Sequence, residues 1–226
     1  MSIKLLLFDI DGTLVRLDGA GLRALDKTFF DFFGIKDVVF SINFFGKTDI
    51  RIYEEIAEAA GIDNDLLNKN INDIMEKYLE YLKIEIEKIS VNPVIEGVYD
   101  FLNTASQKQD IILGLLTGNI EYGGYTKIRK WGLFDFFSFG AFGSDSKFRS
   151  DLVDIAVNRA KKKYNVPHFE KKEIFVIGDT PLDIKCAKDN GVVSVAVATG
   201  KYSVKELSEF NPDFCFPSIT NWNCIF

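Results

Sequence analysis

The sequence predicts an α/β fold: a Rossmann-like parallel sheet with helices on both faces, carrying an inserted α-helical cap. Three observations predict it. From about residue 94 onward, short apolar runs rich in β-branched residues alternate with amphipathic stretches, the pattern of right-handed strand-helix-strand crossovers. A further apolar run, 3–10, stands alone at the amino terminus. It is separated from the rest by a long stretch whose apolar residues recur only at three- and four-residue spacings, as helices require. Finally, each apolar run ends in a short polar segment, as strands do where they reach the ligand-binding edge of an open sheet. The division expected is a core of 1–15 and 92–226 with a helical cap domain of 16–91.

Taken in order, the run 3–10 is interrupted only by Lys4 and reads as a buried strand. Leu22 to Phe33, Arg51 to Ala60 and Leu66 to Ile86 read as the cap helices, and Asn92-Pro93 as the hinge that ends them. Phe29, Phe30, Phe32, Phe33, Phe44 and Phe45 are expected to form the cap's own core. Next come a helix over Val94 to Gln107, a strand over Ile111 to Leu116, a helix around Tyr125 to Trp131 and a strand across Phe137 to Phe142. Helix Leu152 to Tyr164, strand Ile174 to Ile177, helix Leu182 to Asp189, strand Val192 to Val197 and a short strand Phe214 to Phe216 complete the alternation.

Composition narrows the function. The chain has 226 residues and 47% hydrophobic content, enough for a sizeable core without staples. Cys186, Cys215 and Cys224 are far apart, so reduced thiols in a cytoplasm are expected rather than a disulfide framework or a zinc site. The opening residues lack a signal-peptide progression and no apolar stretch reaches spanning length, so no membrane association is expected. A net charge of −6 disfavours nucleic acid as a partner. The basic run Arg159, Lys161, Lys162, Lys163 reads as a solvated helix face.

The chemistry is concentrated where strands end. Asp9 and Asp11 close the first run in Leu7-Phe8-Asp9-Ile10-Asp11-Gly12-Thr13. Two apart on a strand, their carboxylates converge, which is tolerable if a divalent cation neutralises them or if one keeps its proton. Thr117-Gly118-Asn119 follows the second strand, with a hydroxyl and approachable N–H groups for an anion. Ser144-Asp145-Ser146-Lys147-Phe148-Arg149 offers two cations, and Gly178-Asp179-Thr180-Pro181-Leu182-Asp183 two more carboxylates. Each motif alone could be no more than a turn or a helix cap. In a parallel sheet all four lie on one edge.

In this order and over the whole chain, these motifs resemble the haloacid dehalogenase (HAD) superfamily, in its phosphatase branch with a helical cap after the first strand. The third motif departs from the common lysine-proline form. Arg149-Ser150-Asp151-Leu152 is similar to a phosphoglycolate-phosphatase-like subgroup, which favours Arg149 over Lys147 as the phosphate-binding cation. The resemblance implies that Asp9 attacks phosphorus to form an aspartyl-phosphate and that Asp11 serves as acid and then base. It implies Mg2+ held by the Asp9 and Asp179 carboxylates and the Asp11 backbone carbonyl. Thr117, Gly118, Asn119 and Arg149, or Lys147, would hold the phosphoryl oxygens, Asp183 would orient that shell, and a cap loop with Lys47 and Thr48 would meet the leaving group. The substrate implied is a small phosphorylated metabolite such as phosphoglycolate, taken by a monomer or homodimer. A phosphomutase shares both aspartates, a phosphonate-cleaving relative would use a cap lysine for which Lys47 is the candidate, and a phosphorylatable receiver-like module would use a similar aspartate cluster. His168 is given no role.

Overall fold

The structure, a computed structural model, describes residues 3–220. Six strands form one fully parallel sheet in the order β3-β2-β1-β4-β5-β6. They are β1 Lys4–Phe8, β2 Ile111–Thr117, β3 Gly140–Phe142, β4 Ile174–Gly178, β5 Val193–Val197 and β6 Phe214–Phe216. In β1, Leu7 stands opposite Gly114 of β2 on one side and Val176 of β4 on the other. The chain leaves β1 to one side and returns to the other, so the order reverses at β1. A ligand crevice opens outside the carboxyl ends of strands at such a reversal.

Because helices cover both faces, the central strands are apolar throughout rather than alternating. Leu6, Phe8, Leu113 and Leu115 pack with α4 (Val98–Ser106) and α5 (Glu121–Arg129). Leu5, Leu7, Ile112 and Leu116 pack with α6 (Asp151–Tyr164) and α7 (Pro181–Asp189). A short α8, Val204–Ser208, carries a Ser203–Glu206 capping box.

Between β1 and β2 the chain inserts α1 (Ala20–Phe33), α2 (Asp49–Ala59) and α3 (Asn64–Glu87). Helix α1 lies along α3, clamped where buried Glu85 takes Arg23 at 2.8 Å and Lys27 at 2.6 Å. The two connections to this insertion are hydrogen-bonded to each other. Arg16 N–H donates to Pro93 O at 2.8 Å, Ile95 N–H donates to Leu14 O at 3.0 Å, and Val15 and Val94 form an antiparallel bridge.

Several sequence expectations are corrected. Asp9 and Asp11 lie past the end of β1, in the turn that Gly12 makes at φ +82°, so strand alternation does not align them. The helix expected from Val94 begins at Val98, because Val94 and Ile95 are taken up in pairing with the other connection. Helix α5 starts earlier and ends earlier than expected, since Gly123 and Gly124, poor helix formers, hide its first turn in the sequence. The strand expected over 137–142 is only Gly140–Phe142, preceded by a 3-10 turn at Phe134–Phe136. The insertion has no core of its own: its buried residues, Phe29 among them, run without a break into one face of the sheet. Phe30 is exposed beneath the Lys36 ammonium, and Phe44 and Phe45 line the cavity described below. Cys186 and Cys215 are free thiols, while Cys224 lies outside the described residues. Among the described residues, no helix is long and apolar enough to cross a membrane.

Candidate active site

A cavity of about 490 Å³ lies at the sheet's order reversal, between the carboxyl ends of the central strands and the inserted helices. Asp9, Asp11, Thr117, Gly118, Asn119, Arg149 and Asp179 line it from the sheet, as does Lys47 from the insertion. Thr48, Lys147 and Asp183 stand outside its wall.

On its floor, Arg149 is buried between two carboxylates. Its Nη2 lies 3.2 Å from Asp9 Oδ1 and 2.5 Å from Asp183 Oδ1, and its Nη1 donates to Gly46 O at 3.0 Å. Asp183 is fully committed: its Oδ2 accepts from the N–H and hydroxyl of Thr180, the cap of α7, which makes Asp183 at once the partner in that capping box and the anchor of Arg149. Burial pushes the Asp9 carboxyl up to about 6, with Arg149 opposing the shift and Asp183 and Asp11 adding to it. Asp179 is pushed further, to about 8, by burial and by Asp183 and Asp9, against one hydrogen bond from Thr13 at 3.2 Å.

Three buried carboxylates facing one guanidinium leave a deficit of positive charge. Carboxylate oxygens of Asp9, Asp179 and Asp183 all lie within 4.8 Å of one another. The space beside Asp179 exists because two neighbours lack side chains: a Cβ at Gly12 or Gly200 would collide with its carboxylate. An all-oxygen, doubly underneutralised cradle fits a hard divalent cation.

Asp11 turns the other way. Its half-exposed carboxylate receives Lys127 Nζ at 2.7 Å and Asn119 Nδ2 at 2.8 Å, both on Oδ2. Asn119 also donates to the Thr117 hydroxyl at 2.8 Å, so the second motif braces the first. Lys127 is buried, which works against its charge, yet Asp11, Tyr78 and Asp49 outweigh that and hold its ammonium above the ordinary lysine range. Asp49 adjoins the cap loop of Lys47 and Thr48 that sequence reasoning expected there, but Lys127 and Tyr78 were missed as wall residues. No motif marks them. The only local hint at Lys127 is a charged side chain on the helix after Thr117-Gly118-Asn119, at a position the helix buries.

The insertion reaches the sheet through 46–49. Thr48 caps α2, accepting from Arg51 N–H at 3.4 Å, and its hydroxyl donates to Lys147 O at 2.9 Å. Asp49 N–H donates to Gly118 O at 2.7 Å, and Asp49 Oδ2 accepts from Ile120 N–H at 2.8 Å. Burial raises the Asp49 carboxyl to about 6, partly offset by Lys127. Gly118 is obligatory here, because a Cβ would strike the Lys47 carbonyl. The expected cations divide sharply. Arg149 meets Asp9, whereas Lys147 reaches Glu54 at 2.9 Å, and Lys47 is neutralised by Glu55 at 2.6 Å.

Comparison with known proteins gives this geometry a context. A family described as haloacid dehalogenase-like hydrolase matches residues 6–197. Pyrophosphatase PpaX from Listeria monocytogenes is 24% identical over 224 residues, covering 97% of this chain and 94% of the relative. A hydrolase from Pseudomonas syringae superposes with a TM-score of 0.72 at 17% identity, covering 98% and 97% of the two chains. The protein YfnB from Bacillus subtilis, solved bound to magnesium, superposes with a TM-score of 0.55 at 19% identity, over 92% and 97%.

Proposed function

The chain belongs to the haloacid dehalogenase-like hydrolase family, and from that premise we propose that it is a magnesium-dependent phosphatase acting on a small phosphate monoester through an aspartyl-phosphate on Asp9. One observation carries this reading. Asp9 sits in the cavity floor at the end of the central strand, its Oδ1 against Arg149, with a second carboxylate two residues on that faces the opposite wall.

An Asp9 oxygen attacks phosphorus as the bond to the leaving oxygen breaks, and Asp11 gives that oxygen a proton. Water then loses a proton to Asp11 and attacks the same phosphorus, releasing phosphate and restoring Asp9. Arg149, the Thr117 hydroxyl and the Gly118 N–H face the oxygens on which charge gathers, and Asn119 braces Thr117. Asp183 fixes the Arg149 fork. A Mg2+ held by Asp9, Asp179 and the Asp11 carbonyl would neutralise phosphoryl charge and the acidic cradle; the magnesium-bound YfnB structure supports that choice of ion. Residues 16–91 act as a cap that excludes water during transfer.

Phosphate release from a panel of monoesters that includes p-nitrophenyl phosphate, with and without Mg2+, tests the reading. Turnover that needs Mg2+ and vanishes in Asp9→Asn is expected. Substantial activity in Asp9→Asn would overturn the proposed chemistry.

A further inference from the structure

Lys127 is the one buried lysine among the described residues, and it pairs with a carboxylate that water already reaches. Its side chain is 8% exposed, that of Asp11 46%. Taking an ammonium out of water is costly, and a pair that served stability alone would set it against a carboxylate equally in need of a partner. Asp11 has no such need. What the contact fixes is direction.

Both donors that reach Asp11, Lys127 Nζ at 2.7 Å and Asn119 Nδ2 at 2.8 Å, meet the same oxygen, Oδ2. Oδ1 accepts no hydrogen bond among the described residues, so of the two oxygens it is the one open to a reacting group. Asp11 sits in the turn beyond β1, where a half-exposed side chain would otherwise sample several rotamers. Lys127 itself has little freedom. Helix α5 supplies it from the core, and two helices of the insertion close over it. A Cβ built on Gly21 of α1 would lie 3.5 Å from Lys127 Nζ and 3.4 Å from the hydroxyl of Tyr78 on α3. The bond to Asp11 is the one hydrogen bond its ammonium makes among the described residues. The buried cation on the cavity floor, Arg149, is held by Asp9 and Asp183 instead.

We propose that Lys127 is a positioning residue for the acid–base step: it grips Oδ2 of Asp11 so that Oδ1 faces the leaving oxygen. This deepens the phosphatase reading and rests on it. Oδ1 carries the proton that the leaving oxygen takes as its bond to phosphorus breaks and it keeps the electron pair. The same Oδ1 later removes a proton from the water that attacks the aspartyl-phosphate. Lys127 exchanges no proton; it acts through Asp11. A misplacement of about 1 Å in such a group can cost about a hundredfold in rate.

The test uses two esters of nearly one shape, phenyl phosphate and p-nitrophenyl phosphate, whose leaving oxygens differ in basicity. It reads kcat/KM, which reports the steps up to departure of the alcohol. Lys127→Met keeps the length of the side chain and removes its charge and donors. It should lower kcat/KM for phenyl phosphate by about tenfold more than for p-nitrophenyl phosphate, the bias that Asp11→Asn shows too. Added to Asp11→Asn, it should cost less than about twofold further on phenyl phosphate, because the residue it acts through is already gone. A structural Lys127 would lower both esters equally and multiply the loss in the double variant, and either result overturns the proposal. Lys127→Gln replaces Lys127→Met if circular dichroism shows the latter unfolded; failure of both to fold makes Lys127 a structural residue and overturns it as well. If the native protein leaves p-nitrophenyl phosphate intact with Mg2+ present, the phosphatase reading itself falls, and this inference with it.

Discussion

Arg149 and Lys147 are two residues apart and carry the same charge, yet the fold gives them different tasks. Arg149 is buried with its fork between Asp9 and Asp183, while Lys147 reaches outward to Glu54 with nearly half its side chain exposed. Arg149→Ala is therefore expected to cost about 2–4 kcal/mol of transition-state stabilisation, read as kcat/KM on protein that circular dichroism shows to be folded. Lys147→Ala should cost well under 1 kcal/mol, as a surface pair does. The reverse ranking would place the phosphate-facing cation two residues earlier. At this scale the sequence was legible where a strand end fixes position: Asp9, Thr117 and Asp179 line one cavity because parallel strands end on one edge. It was illegible at Lys127, whose partner Asp11 lies far away in the chain and on another element.

Among the elements, the start of α2 joins the insertion to the strand ends by hydrogen bonds. Four hydrogen bonds link 46–49 to the core, from Asp49 to Gly118, Ile120 to Asp49, Thr48 to Lys147 and Arg149 to Gly46. Gly118 permits this approach, since a methyl group would strike the Lys47 carbonyl. Gly118→Ala is expected to keep the helix in place but push the loop off the strand end. The result should be a fall in kcat/KM of about tenfold or more, with a melting temperature within a few degrees of the native protein. A large loss of stability with normal specific activity would show that the glycine serves packing alone. The helices of the insertion were readable from apolar spacing, and the Thr48 cap from its place before an apolar run. Their docking was not, because spacing specifies a buried face and says nothing about which surface covers it.

Over the whole molecule, the acidic cradle couples stability to pH. The Asp179 carboxyl titrates at about 8 in the folded, cation-free protein against 3.8 in a free side chain, and Asp9 at about 6. A raised carboxyl means that the folded state holds its proton more tightly than the unfolded chain does. The benefit is complete below about pH 4 and is lost as pH rises through about 6 for Asp9 and about 8 for Asp179. A cation replaces those protons. The melting temperature in chelator should therefore fall between pH 6 and pH 8, and Mg2+ should raise it more at pH 8 than at pH 6. Equal gains at the two values would mean that proton and cation do not share the site. The sheet's class and strand sequence were legible from the alternation of short apolar and amphipathic segments. The continuous core beneath the insertion was not, since nothing in the segment 16–91 separates residues that pack on one another from residues that pack on the sheet.

The paired connections at 14–16 and 93–95 have a mechanical meaning. Two strands of chain tied side by side behave as adjacent pins of one door. They hold the inserted helices at two adjacent points, and sliding one connection past the other would break the ties between Arg16 and Pro93 and between Ile95 and Leu14. The insertion is thereby set in one register against the sheet, with Asp49 held at Gly118. Two hydrogen bonds between the connections thus help to fix where the wall of the cavity stands.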